Sequence, residues 1–528
     1  MNRFLITITL CLAVFGSSLS MAAINTLTTE QKLADLDQLV NIVKAGYGPL
    51  QYKKEKYDIT PEKIRDLYAP RIAATRSNRE FYYTILQYIG EFHDGHFRAN
   101  LPTDLKSSLP FDTDLVEGKV LVDRINRSLL TETQFPFAKG DQILEMNGVD
   151  IQTVLDQLQT YRGLGYSLSE RRTAALSLTV RDGKRLPVPA GDVTFKIRRG
   201  TSSVISEVKL TWKVEGTAID ESDSLVSAKE NYDTISTFGL MKEVENPQVE
   251  RSFRCSGDTR IEIPANATVI MKTPFVAYYY PTEKGNVGYL RIPHYSPENR
   301  AYAEYFAQYE FAVSVLEKNT VGLIIDQDHN CGGSVEYLHQ IVSLFMSKPF
   351  PAMQFQLLAN KAEYLMFTEW VNSVPENTLA RKNVEKVQKL VREAWMKGDF
   401  MTAKIAIDGN DLRSPNDIHY TKPIIVLIDE MSGSGGDAFP AMTKGLGRAK
   451  LVGTRTMGLG GHVTAQPALL YSRIVPEMTK SLFYRPDGVP VENNGAVPDF
   501  NYSPTRDDFT YGYHDYRAFY TARLFEQL

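Results

Sequence analysis

One stretch constrains this chain more than any other. Ile424-Ile425-Val426-Leu427-Ile428 runs into Asp429-Glu430-Met431-Ser432-Gly433-Ser434-Gly435-Gly436-Asp437. Five consecutive aliphatic residues read as a strand buried on both faces, which demands a layer above and a layer below. The residues that follow are small, and the segment after Gly435 reads as a helix. Such a strand, turn and helix lifts a hydroxyl out of the sheet and leaves room for a substrate backbone beside it. The first N–H groups of the helix lack intrahelical partners and point at incoming negative charge. Pro440 limits the regularity of that helix, although a first turn tolerates proline. Ser434 is therefore a candidate nucleophile; a plain Gly/Ser connection is the competing reading.

A second buried strand, Gly322-Leu323-Ile324-Ile325-Asp326, leads into Gln327-Asp328-His329-Asn330-Cys331-Gly332-Gly333-Ser334. Paired glycines expose N–H groups with no side chain in the way, as an oxyanion site requires. A glycine-rich turn without chemistry would look the same.

The rest of the chain organises around these loops. Arg3, the apolar run Phe4 to Phe15, and small residues up to Ala22 read as a signal peptide over 1–22, placing the mature protein in the periplasm or outside the cell. An N-terminal anchor helix is the alternative, for which the run is short. Cys11 lies inside the run, which speaks against a lipoprotein. Residues 23–108 form a helical unit: Leu33, Leu36, Leu39, Val40 and Val43 recur at helical spacing, as do Phe81, Ile85, Tyr88 and Ile89. It ends in a turn-like stretch, Glu91 to His96. Residues 109–215 read as short strands with one helix from Ile151 to Tyr161, and residues 216–275 as a polar connector or insertion. Residues 276–528 read as a βα core with a helical insertion at about 355–415, and a helix is expected over Val335 to Met346.

Charge narrows the partners. Fifty-nine Lys plus Arg against 63 Asp plus Glu leave a net charge of −4, with no basic excess for nucleic acid. No segment after residue 25 approaches the ~20 apolar residues of a membrane span. Cys11, Cys255 and Cys331 are too few for a disulfide framework and too scattered for zinc. After signal cleavage Cys255 and Cys331 either pair or stand as separate buried thiols. No ligand cluster implies a metal, and no organic cofactor is expected.

Gly140-Asp141-Gln142-Ile143-Leu144-Glu145-Met146-Asn147-Gly148 resembles the strand-turn hallmark of PDZ domains, with another small half-open barrel as the alternative. The two loops described first resemble those of the C-terminal processing peptidases, or tail-specific proteases, and their tricorn relatives. Asp94-Gly95-His96, Val452 to Gly458, and Asp487 to Asp499 match further family segments in order. The processing-peptidase branch carries a lysine base in Gly-Lys-Gly. Here the segment is Gly458-Leu459-Gly460-Gly461, and Leu459 cannot accept a proton. The tricorn-like branch uses a histidine of the N-terminal unit and a late glutamate, and His96 and Glu492 match those positions.

The resemblance implies an α/β fold: a ββα-type, crotonase-like core, a PDZ-like β domain and a helical N-terminal unit. It implies a serine endopeptidase acting on extended or unfolded polypeptides, received through a C-terminus by strand addition to the PDZ-like domain. Ser434 would attack, His96 would take its proton, and Glu492 would hold the other ring N–H. Backbone N–H groups of Gly435 and Gly332, with Gly333 beside them, would hold the oxyanion. His462 is the alternative base. Asp437 is expected only to complement the helix start. Three departures stand out: Gly95 where relatives place an assisting serine, Asp328 in place of an arginine, and Cys331 beside the glycines. A carboxylate at 328 would oppose developing negative charge if it faced the site. Two other functions share these residues: an inactive relative binding peptide or apolar ligand, and an esterase using the same triad.

Overall fold

The structure, a computed structural model, describes residues 26–218 and 255–528. The expected signal peptide and most of the connector lie outside the described residues.

The N-terminal unit is four helices, α1 (Thr29–Gly46), α2 (Leu50–Tyr57), α3 (Pro61–Ala73) and α4 (Asn78–Gly90). Thr28, Thr60 and Ser77 start three of them with hydroxyls that accept the N–H three residues on. Their apolar stripes meet in one core that includes Leu36, Leu39, Val43, Phe81, Ile85 and Tyr88. After α4 the chain turns through His93 and His96 into a short strand, Arg98–Asn100, which pairs antiparallel with Val475–Thr479. That pairing carries the early helices to the far end of the sequence.

The PDZ-like region is a sheet of β1 (Phe111–Val116), β2 (Lys119–Ile125), β3 (Gln142–Met146), β4 (Asp192–Arg198) and β5 (Ile205–Thr211), in that order. Helices α5 (Ile151–Gln159) and α6 (Ser167–Leu176) complete it. Phe111, Val122, Ile143, Leu155 and Phe195 share its core. The edge strand β1 is in direct contact with α6. Thr113 Oγ1 donates to Ala175 O at 2.7 Å, and Arg172 pairs with both Asp114 oxygens at 2.8 and 3.0 Å.

The core sheet follows chain order: β6 (Thr268–Met271), β7 (Ala277–Thr282), β8 (Gly285–Arg291), β9 (Gly322–Asp326), β10 (Ile424–Ile428), β11 (Lys450–Gly453) and β12 (Phe500–Asn501). From β8 onward the strands are parallel. Helices α7 (Tyr302–Asn319), α8 (Val335–Ser343) and α11 (Gly435–Gly445) belong to one face, and α13 (His514–Phe525), after the short α12 (Arg506–Thr510), to the other. The insertion forms α9 (Lys361–Ser373) and α10 (Leu379–Lys397). Side chains of β10 alternate between the layers: Ile424, Val426 and Ile428 on one, Ile425 and Leu427 on the other. Burying each contributes roughly 1.5–3 kcal/mol, and a one-residue slip would exchange the layers, so the register is firmly set. The helix expected to reach Met346 stops at Ser343. There Leu344 N–H and Phe345 N–H each reach back three residues, to Ile341 O and Val342 O, tightening the last turn out of α geometry.

Because β9 and β10 are parallel neighbours, their carboxyl ends lie side by side. The loops after Asp326 and Ile428 therefore leave the sheet at one place, where open α/β sheets bind ligands.

Candidate active site

Ser434 immediately precedes α11 with φ 59° and ψ −112°. An L residue held in so sparsely populated a region costs about 1–3 kcal/mol. Asp437 restrains it. This buried carboxylate accepts Ser434 N–H at 2.7 Å, Gly458 N–H at 2.7 Å, Leu459 N–H at 2.9 Å and the Thr456 hydroxyl. Burial pushes its carboxyl up to about 6 against the pull of those donors. Asp437 thus does more than complement a helix start: it joins the nucleophile turn to the segment 456–459.

The glycine loop lies against this turn. Gly332 has φ +78°, and a methyl group on it would sit 2.6 Å from Ser434 Cβ and 2.7 Å from Gly435 N. Only glycine allows that approach. Gly332 N–H already donates to Asn330 Oδ1 at 2.8 Å. Gly435 N–H and Gly333 N–H donate to no protein acceptor among the described residues. Tyr295 supports the loop, donating its backbone N–H to Gly332 O at 2.6 Å and accepting Ser334 N–H at its carbonyl. Cys331 is disulfide-bonded to Cys255, so the end of the connector is fastened to this loop. Asp328 is half-buried with its Oδ1 enclosed, and burial together with Asp326 and Asp429 holds its carboxyl well above the usual range, which weakens the opposing charge it could bring. The guanidinium expected in this loop comes instead from β8: Arg291 pairs with Asp326 at 3.0 Å and donates to Asp328 O at 2.6 Å.

The candidate base lies on the other side. His96 is buried, and its backbone N–H donates to Asp94 Oδ1 at 2.8 Å. Asp94 Oδ2 accepts the Tyr47 hydroxyl at 2.9 Å and the Thr479 hydroxyl at 2.7 Å. Burial lowers the imidazole to about 4, partly offset by Asp94, so it is neutral near neutral pH. Its Nδ1 is buried without a partner. Glu492 is fully buried. One oxygen meets Lys53 Nζ at 2.5 Å, and the other accepts Gly460 N–H at 3.0 Å. Burial and the nearby Asp94 push its carboxyl up to about 8, opposed by Lys53.

The three expected triad residues thus come from loops that meet at the segment 458–460, yet no hydrogen bond joins Ser434 to His96 or His96 to Glu492. Leu459 lies between the first two loops. A methyl group on Gly95 would sit 2.9 Å from Leu459 Cδ2 and 2.6 Å from Leu164 Cδ2, and one on Gly433 would sit 3.1 Å from Leu459 Cδ1. Leu459, Leu164, Met431 and Met457 form a small apolar cluster there. The same cluster gives a reason for Gly95, because a serine side chain would collide with it. His462 is engaged elsewhere, with Nδ1 2.8 Å from Ser481 Oγ and Nε2 3.8 Å from Glu363. Among the described residues no group of three His, Cys, Asp or Glu side chains could hold a metal.

Sequence reasoning missed Lys53, Asp94 and the reach of Asp437. Asp437 carried a signal in its three-residue spacing from Ser434. Lys53, in a polar helix among Lys54, Glu55 and Lys56, carried none.

Comparison with known proteins agrees with this architecture. Residues 286–502 match the sequence profile of Peptidase family S41, and residues 105–224 match a PDZ domain. An uncharacterised protein of Chlamydia muridarum is 27% identical over 98% of this chain and 95% of its own length. The tricorn protease of Thermoplasma acidophilum is 34% identical over 18% of this chain and 8% of its own length. The solved structure of mature CPAF complexed with lactacystin superposes with a TM-score of 0.78 at 24% identity, covering 94% of this chain and 99% of that one. That likeness shows a shared fold. The family match supports a serine-type peptidase hydrolase.

Proposed function

With a peptidase family S41 domain behind a PDZ domain as the premise, we propose that this chain is an endopeptidase for extended or unfolded polypeptides, with Ser434, His96 and Glu492 as its catalytic residues. One observation carries the reading: a strained, hydroxyl-bearing turn residue packs against a glycine loop, beside N–H groups that no acceptor among the described residues uses.

The chemistry follows from the positions. Ser434 Oγ attacks the scissile carbonyl, and its proton passes to neutral His96. The carbonyl oxygen, now negative, receives hydrogen bonds from Gly435 N–H and Gly333 N–H. Gly332 joins them if Asn330 releases its N–H. One such donor is worth roughly 3–4 kcal/mol in other enzymes. Protonated His96 gives its proton to the leaving amine, and water then cleaves the acyl-enzyme by the same steps. Glu492 stabilises the imidazolium. Leu459, whose side chain touches both Gly95 and Gly433, would move aside as His96 and Ser434 come together. Capture of a peptide C-terminus along β1 likewise requires α6 to separate from it at Thr113 and Arg172.

The test is digestion of unfolded casein by the mature chain from residue 23, beside Ser434→Ala. We expect internal cleavage that the variant lacks; turnover of small esters with casein left intact would reassign the protein as an esterase. Lactacystin, captured in the CPAF complex, is expected to block the same serine. Export to the periplasm or beyond belongs to this proposal through residues 1–22. It is checked by fusing them to a reporter and locating the processed product.

A further inference from the structure

Lys53 is a lysine with no exposed surface, and it belongs to none of the loops that carry the proposed chemistry. It projects from α2, and its ammonium has three donors. All three are used: Glu492 Oε1 at 2.5 Å, Asn493 Oδ1 at 2.5 Å and His93 O at 2.8 Å. Asn493 closes the figure by donating its own Nδ2 to His93 O at 2.8 Å. One buried cation therefore touches both the loop that carries His96 and the loop that carries Glu492. These lie some 400 residues apart, and no strand pairing directly joins them.

We infer that Lys53 is a positioning residue of the reaction: it is the counter-ion of Glu492 and fastens that carboxylate to the His93–His96 loop. The inference rests on the triad reading and adds to it the group on which the charge of Glu492 depends. An isolated carboxylate this deep in the protein would neutralise instead of ionising. The charged and titratable groups facing it are Asp94 from the histidine loop, Tyr47 from the end of α1, and Tyr52, Lys53, Lys56 and Tyr57 from α2. Of these, Lys53 alone makes an ion pair with it among the described residues. Even opposed by Lys53, burial and Asp94 raise this carboxyl to about 8, so its charged form depends on the ion pair; without Lys53 it would stay protonated and could not stabilise an imidazolium.

The experiment measures the rate of Ser434 labelling by a fluorophosphonate from pH 5 to pH 10. It uses the mature chain, Lys53→Met, Glu492→Gln and the double variant. We expect Lys53→Met to label on the order of tenfold or more slowly at neutral pH, with its rising limb displaced to higher pH. The double variant removes both partners of the buried pair, so it is the control where Lys53→Met alone folds poorly. It should label within about threefold of Glu492→Gln alone, because two residues acting as a unit are not additive. Additive losses in the double variant, or a wild-type rate and pH profile for Lys53→Met while Glu492→Gln is slow, would overturn the inference. A wild-type rate for Glu492→Gln is a separate outcome: it removes the triad reading, and the inference with it.

Discussion

The two halves of the proposed site are built differently. The nucleophile half comes from adjacent strand ends: β9 and β10 deliver the glycine loop and Ser434 side by side, and Asp437 pins the turn from three residues away. The base half is assembled from α2, the loop after α4 and the turn at Glu492, joined by Lys53, while Asp94 ties that loop to Tyr47 and Thr479. The first is poised, with strain at Ser434 and unengaged N–H groups beside it. The second is tied off, with Glu492 on Lys53 and His96 Nδ1 partnerless. Leu459 stands between them. The difference teaches that a single sheet fixes a nucleophile cheaply, whereas bringing in a base from another unit needs buried polar ties that hold it even when it is not engaged.

The contrast can be broken most severely at Glu492. Glu492→Gln should slow casein hydrolysis by on the order of 10⁴-fold, the loss known for the orienting carboxylate of a serine triad. A loss below tenfold would mean that Glu492 serves only to hold Lys53. The ties themselves should register in urea unfolding: Lys53→Met costs about 3–5 kcal/mol by breaking a buried pair and its hydrogen bonds, and Lys53→Met with Glu492→Gln recovers most of it.

The halves should also answer pH in opposite senses. His96 titrates near 6.5 when unfolded and near 4 when folded, so it contributes stability above about 6.5 that is lost as pH falls toward 4. Asp437 rises from 3.8 to about 6 on folding, so its contribution is present below about 4 and is lost as pH rises toward 6. Each is worth about 3 kcal/mol across its window. Urea midpoints at pH 6.5 and pH 4.5 should show His96→Gln flattening the acid loss and Asp437→Asn steepening it; the reverse pattern would contradict the assignment.

Two smaller changes sharpen the boundary. Gly95→Ala should cost about 1–3 kcal/mol by crowding Leu459 and Leu164, and less in a Leu459→Ala background. Ser434→Gly should stabilise the fold by about 1 kcal/mol, because glycine accepts φ 59° without penalty. Thermal or urea unfolding measures both.

What could be read in the sequence follows the same division. Contiguous signals sufficed for the nucleophile half: five aliphatic residues fix β10, and small residues after it announce the turn. The helical stripes from Leu33 to Ile89 and the strand-turn at Gly140 to Gly148 were equally local, and the structure forms helices and a PDZ-like sheet there. His96 and Glu492 were found only through resemblance, because neither has a local pattern. Lys53 could not be found at all. Its burial depends on α2 packing against a turn some 440 positions away, and nothing around it distinguishes it from the exposed Lys54 and Lys56. The pairing of Cys255 with Cys331 was open for the same reason: it follows from where the connector ends, not from spacing.

The most direct test is an experimental structure of the protein after fluorophosphonate modification. The account predicts a phosphonyl group on Ser434 Oγ, its oxygen on Gly435 N–H and Gly333 N–H, and Leu459 displaced so that a His96 ring nitrogen lies within ~3.2 Å of the modified oxygen. An adduct formed with His96 still screened behind Leu459, or a folded protein that takes no adduct at Ser434, would contradict it.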